Sequence, residues 1–474
     1  MKTSLILSAC LALLPAAGAL AAPAKTERSC HLPGAEDALR CITVPVALDY
    51  ASPAGASLAL HVTVAPAFRE AARPDPLFVL AGGPGEAGSD VLVMLRTAFK
   101  RVRATRDIVF IDQRGTGLSG KLDCASRPGD DNMSEAQAEA AVRACIAASK
   151  APFAAYTTAA AARDIEQVRL ALGYGKINVF GGSYGTRLAQ VYARAFPASV
   201  RSLVLDGVAA PEQVIPAGGR DSQAALDKLF DQCARNAACH KAFPALKTEF
   251  AALTDKVGAS SIKVAMADPR TAQQVVVNLT SARFLGTVHN MLYSPADARR
   301  LPYLIHSASQ GRWEPFIARH NVGGDLSADG SIAQLLHFAV VCAEDVPRLT
   351  PQLLAADSAP LTRAVAERMP AVCAAMRVPP VPYREPATIA APALLLSGAL
   401  DPVTPPHRAA SAARRMPQAQ QVVVTNAGHG IAQLGCAPRL LREFLDQPAQ
   451  RLDARCLADL PAPTFQLGSA GPQP

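Results

Sequence analysis

Nowhere in the chain does a glycine-rich loop run on into Gly-Lys-Ser/Thr, which excludes phosphate binding of the P-loop kind. Cys-x-x-Cys is missing, and no cysteine–histidine cluster has zinc spacing, so nothing points to a metal. Internal repeats and low-complexity tracts are missing too, which sets aside solenoid and linker architectures. The formal net charge of +8 is spread along the chain rather than gathered into runs. That pattern is a basic soluble surface, with no sign of a nucleic-acid protein. The N-terminal apolar run, Leu5 to Ala17, is too short for a transmembrane segment.

What is present begins with an export signal. Met1-Lys2 is a small basic start, the apolar run follows, and Ala19-Leu20-Ala21 supplies a small-x-small cleavage site. A signal peptide over residues 1–22 is therefore expected, and with it a periplasmic or extracellular location. Leu7-Ser8-Ala9-Cys10 resembles a lipobox, but cleavage there would strand the apolar run behind it, so lipidation of Cys10 is not expected. Ten of the 11 cysteines remain after Cys10 and fall in near pairs: Cys30/Cys41, Cys124/Cys145, Cys233/Cys239, Cys342/Cys373 and Cys436/Cys456. A disulfide framework suits export. Pairing each cysteine with its neighbour is the adopted choice among many connectivities.

With 474 residues the chain can hold a large core and an inserted domain. Cys41 to Tyr50 and Ser57 to Val64 read as two strands joined by a Pro/Gly turn. Pro76 to Leu80, Asp107 to Asp112, Ile177 to Phe180 and, within Val200 to Asp206, Leu203 to Leu205 read as buried strands, with an amphipathic helix over Ala159 to Leu172. Strands and helices thus alternate up to Asp206, as in a parallel α/β sheet. Helical stretches dominate 207–386, which reads as an inserted cap. Strands resume at Ala393 to Gly398 and Gln421 to Thr425, before a last amphipathic helix at Pro438 to Leu445. The expected division is core over 35–206, cap over 207–386, core again over 387–460, and a loose Pro/Gly-rich tail over 461–474.

Four loops at strand ends are candidates to carry chemistry. Gly181-Gly182-Ser183-Tyr184-Gly185 lies between a buried strand and Leu188-Ala189-Gln190-Val191-Tyr192-Ala193 at helical spacing, the context of a nucleophile elbow. Glycines two positions either side of Ser183 give strand and helix room to pass. Asp401 follows one resumed strand and His429 the next, in Gly428-His429-Gly430. Loops after parallel strands gather on one sheet edge, so these residues are expected beside Ser183. Ala81-Gly82-Gly83-Pro84-Gly85 ends another strand and leaves backbone N–H groups bare, unless it is only a structural turn. Gly115, Gly117 and Gly120 form G-x-G-x-x-G after a strand, but no helix follows, and a dinucleotide site is rejected.

Together these pieces resemble the proline iminopeptidase and tripeptidyl aminopeptidase branch of α/β-hydrolase serine peptidases. The matching segments are Val44-Pro45 with Asp49-Tyr50, Gly82 to Gly85, Asp112-Gln113-Arg114-Gly115-Thr116-Gly117-Leu118-Ser119, Gly181 to Thr186, Gly398 to Pro405, and Gly428 to Gly430. Ala81 stands where the iminopeptidases usually carry histidine, which loosens any inference to N-terminal proline. The resemblance implies an α/β-hydrolase fold with a mostly parallel central sheet and an inserted mainly helical cap. It also implies a Ser183–His429–Asp401 triad, an oxyanion hole from the N–H groups of Tyr184 and Gly83, no cofactor, and a peptide substrate with a free N-terminus. Cap carboxylates are expected to hold the substrate amine. Glu344, at the end of an apolar helix beside Cys342, is the local candidate, with a solvated helix end as the plainer reading. An esterase or lactonase using the same triad is the alternative, because a fold does not fix its substrate.

Overall fold

The computed structural model describes residues 25–125, 132–267, 271–319 and 332–471. The expected signal peptide, its cleavage site and Cys10 lie outside the described residues. Nine strands form the central sheet: β1 (Thr26–Cys30), β2 (Leu39–Ala47), β3 (Ser57–Ala65), β4 (Leu77–Leu80), β5 (Ile108–Ile111), β6 (Ile177–Gly182), β7 (Val200–Asp206), then β10 (Ala393–Gly398) and β11 (Ala419–Val424). The intervening β8 (Ile262–Ala267) and β9 (Gln274–Leu279) form a separate antiparallel hairpin.

The sheet order is β1-β2-β3-β5-β4-β6-β7-β10-β11. From β5 to β11 every pairing is parallel, while β1, β2 and β3 form an antiparallel edge. The inner parallel strands β4, β5 and β10 are short and largely apolar because both faces are covered, whereas the edge strand β11 is mostly uncovered. Phe78 and Leu80 join the core on one face, and Leu77 and Val79 join the core on the other. Pro45, which cannot donate to a ladder, pairs only with β3, at a position β1 does not reach.

Several expectations need correction. The sheet starts at Thr26, ahead of the expected 35, because Thr26 to Ser29 are all exposed and leave no apolar pattern to read. The insert contains the β8–β9 hairpin besides its helices. β9 (Gln-Val-Val-Val-Asn-Leu) is β-branched enough to have signalled this. The tail is not loose at 465–466: Phe465 is buried under the Arg299 guanidinium, and Gln466 N–H donates to Arg299 O at 3.1 Å. The insert has its own core around Leu226, Phe230, Phe284 and Phe316.

Five disulfides join Cys30–Cys41, Cys124–Cys145, Cys233–Cys239, Cys342–Cys373 and Cys436–Cys456. They span very different loops, 6 residues for Cys233–Cys239 and 31 for Cys342–Cys373. By loop-closure entropy these are worth about 2 and about 4 kcal/mol respectively. Replacing both members of the longer pair by serine should therefore lower the unfolding free energy by clearly more than replacing both members of the shorter. Denaturant titration of the two variants checks the order, and an equal or inverted order would contradict it.

Candidate active site

β6 and the helix Tyr184–Ala195 meet at Ser183, whose backbone sits at φ 52°, ψ −121°. A non-glycine residue rarely adopts this geometry, and the surrounding packing enforces it. A Cβ on Gly181 would run into the Gly185 carbonyl, and one on Gly185 into the Leu80 carbonyl, so strand, turn and helix pass at backbone contact. The turn lifts Ser183 clear of the sheet. Its hydroxyl has no hydrogen-bond partner among the described residues, and the N–H groups of Gly83 and Tyr184 likewise have no acceptor there.

The loop after β10 supplies Asp401 and the loop after β11 supplies His429. Asp401 Oδ2 accepts from His429 Nδ1 at 2.8 Å and from Thr404 Oγ1 at 2.7 Å. Asp401 Oδ1 accepts the N–H groups of Val403 and Thr404, both at 2.8 Å. Burial works against the Asp401 charge, yet His429 and these N–H donors hold its pKa below the usual carboxylate range. Burial likewise depresses His429, but Asp401 first, then Asp206 and Glu86, outweigh it and leave its pKa raised. The Asp401–His429 pair and the Ser183 turn are joined through Asp206, at the end of β7. Its carbonyl accepts Ser183 N–H at 2.9 Å, and its carboxylate accepts the N–H groups of Ile431 and Ala432 at 2.8–2.9 Å. No hydrogen bond joins Ser183 to His429; such bonds often tighten only around substrate.

A family profile described as alpha/beta hydrolase fold matches residues 75–432, most of the chain. The chain belongs to the α/β-hydrolase fold family. Among its curated relatives, the serine protease Hip1 of Mycobacterium tuberculosis is 32% identical over 221 residues, 42% of this chain and 42% of that protein. Tripeptidyl aminopeptidase of Streptomyces lividans is 32% identical over 196 residues, 37% of this chain and 36% of that protein. Proline iminopeptidase of Neisseria gonorrhoeae is 36% identical over 143 residues, 30% of this chain and 36% of that protein. Each match spans less than half of the relative's length.

This α/β hydrolase uses its second glycine pattern for structure. The Gly115–Gly120 turn wraps the Asp112 carboxylate, which accepts Leu118 N–H at 2.8 Å and both donors of Ser89; a Cβ on Gly117 would collide with it. Arg114 in the same loop is buried in a bidentate pair with Asp164, at 2.6 and 2.7 Å. The glycines therefore fold a loop around an anion of the protein itself.

The insert touches the site from more than one side. Tyr293 O accepts His429 N–H at 2.8 Å, and the Tyr293 ring meets the imidazole edge-on at 5.0 Å. His289 packs against Tyr293, and burial lowers its pKa to about 4, so it is neutral there. On the other side, Ala333 N–H donates to Gly85 O at 2.9 Å, and His337 Nδ1 meets Pro84 O at 3.1 Å. His289 and His337 are thus helix residues with partners, His289 also meeting Ser222 Oγ at 3.0 Å, and His337 ties its helix to the Gly82–Gly85 loop.

Glu344 is engaged elsewhere. Its carboxylate accepts Thr158 N–H at 2.7 Å and Thr158 Oγ1 at 2.6 Å, at the start of the helix Thr158–Ala171. Thr158 Oγ1 is in turn 2.8 Å from Tyr184 Oη. An acid at a helix N-terminus is held by bare N–H groups and the helix dipole. Glu344 lines a separate cavity of about 190 Å³ with Arg187, Arg194 and Tyr383, behind the helix that follows Ser183. It therefore cannot be the carboxylate that meets a substrate amine beside Ser183. Glu86, Asp206, Thr404 and Tyr293 surround the site and were missed; only Glu86, next to the Gly82–Gly85 loop, and Asp206, at a strand end before glycine, left a readable mark. Among the described residues no three His, Cys, Asp or Glu side chains converge to hold a metal ion.

Proposed function

We propose that the protein is an exported serine exopeptidase that hydrolyses peptide bonds near a free N-terminus through an acyl-enzyme on Ser183. The observation that carries this reading is the Asp401–His429 hydrogen bond, tethered to the serine turn through Asp206. His429 takes the Ser183 proton as the hydroxyl attacks the carbonyl, and later returns it to the leaving amine. Asp401 fixes the imidazole with its proton on Nδ1, which leaves Nε2 as the base. The N–H groups of Tyr184 and Gly83 receive the oxyanion, each contributing about 3 kcal/mol to the transition state. The peptidase names of its relatives support the substrate class, and five disulfides suit an oxidising compartment. No helix among the described residues is long and apolar enough to cross a membrane.

Assays of aminoacyl and peptidyl arylamides beside short aryl esters test the reading. Amide cleavage that requires a free N-terminus is the expected result. Turnover of esters alone would replace the exopeptidase by an esterase or lactonase of the same fold, and no turnover at all would leave a binding protein.

A further inference from the structure

Glu86 has no structural duty that needs its full charge. One carboxylate oxygen, Oε2, accepts Gly82 N–H at 2.7 Å; the other has no partner among the described residues, and no Lys or Arg pairs with the group. A Cβ built on Gly82 would lie 3.1 Å from Ser183 Cβ and 3.2 Å from Glu86 Oε2, so nucleophile and carboxylate flank the same bare backbone. Glu86 also acts electrostatically on His429. Its backbone is fixed from both sides, by the adjacent Gly82–Gly85 loop and by a β-bridge to Ile332 of the insert.

A lone carboxylate beside a forming oxyanion opposes catalysis unless a cation balances it. Among the described residues no lysine or arginine balances it, which leaves a substrate ammonium as the standing counter-charge beside the transient imidazolium of His429. We infer that Glu86 receives the α-ammonium group of the substrate's N-terminal residue and thereby restricts cleavage to the first peptide bond. This rests on the exopeptidase reading above and deepens it. In a one-residue acyl group the amine nitrogen is two bonds from the scissile carbonyl carbon, within reach of a carboxylate next to Ser183. Each additional residue carries the amine about 3.3–3.6 Å further off, so the amine of a tripeptidyl substrate overshoots Glu86. Burial raises the Glu86 pKa, with Gly82 N–H and His429 acting in the opposite direction; an incoming ammonium would hold it ionised.

The test compares alanyl with N-acetylalanyl aryl esters, and alanyl with trialanyl arylamides, in the wild type, Glu86→Gln and Glu86→Asp. The wild type should prefer the free-amine ester by at least about 20-fold in kcat/KM, the scale of one charge-assisted hydrogen bond. Glu86→Gln, which keeps an acceptor for Gly82 N–H, should reduce that ratio to about threefold or less. Glu86→Asp, with the charge on a shorter arm, should fall between them and also covers the case in which Glu86→Gln does not fold. The trialanyl amide should be the poorer amide in the wild type. An unchanged free-amine ratio in both variants, or a wild type that prefers the trialanyl amide, would overturn the assignment. The ester pair keeps the two readings apart. A wild type that hydrolyses esters and no amide defeats the peptidase reading, while the response of the ester ratio still decides for or against Glu86.

Discussion

Ser183→Ala should lower kcat on any substrate by about 10⁶-fold, the loss expected when the nucleophile of a triad is removed. The size follows from cooperation: without Oγ there is no acyl-enzyme, and His429 and the oxyanion N–H groups have nothing to act on in concert. The fold should survive. The φ of 52° is imposed by Gly181 and Gly185 packing against backbone carbonyls, and alanine pays no more strain there than serine does. A thermal melt close to the wild type together with turnover at background is the expected pair of results. Residual activity within 100-fold of wild type would place the nucleophile elsewhere.

Asp401→Asn should cost about 10⁴-fold in kcat with little change in KM. The Val403 and Thr404 N–H groups hold the oxygen of the asparagine amide, so its NH₂ faces His429 Nδ1. The imidazole must then accept at Nδ1 and carry its proton on Nε2, where it cannot take one from Ser183. The pH profile supplies an independent check. On the proposed mechanism activity needs neutral His429, whose pKa is raised by Asp401, Asp206 and Glu86 against burial. The other neighbours, His289 and Tyr293, are neutral near pH 7. In the wild type, kcat/KM should therefore rise with pH through an apparent pKa above 6.5, the usual value for imidazole, and level off at higher pH. Loss of the Asp401 charge should move that limb to lower pH. A limb that stays in place would mean another group is titrating.

Much of this site could be read from the chain because its constraints are local. A glycine two residues either side of Ser183 is demanded by backbone crowding within the turn itself. Asp401 and His429 each follow an apolar strand, so a parallel sheet brings them to one edge. Glu344 misled because a helix end rich in acid looks the same in sequence whether it faces substrate or another helix start. Only the fold reveals Thr158 as its partner. Tyr293 and His289 reach His429 from about 140 residues earlier, through packing of the insert that no local pattern encodes. The strand Thr26–Cys30 was invisible because it is an edge strand with a polar, exposed sequence that pairs through its backbone with β2 and is tied to it by the Cys30–Cys41 disulfide.

On the proposed mechanism a single serine, activated by His429, forms a covalent acyl intermediate. Treating the folded wild type with a fluorophosphonate and mapping the adduct by peptide mass spectrometry tests this most directly. One adduct is expected, on the peptide carrying Ser183, forming far more slowly when His429 is replaced by alanine. An adduct on any other residue, or labelling that persists in Ser183→Ala, would contradict it.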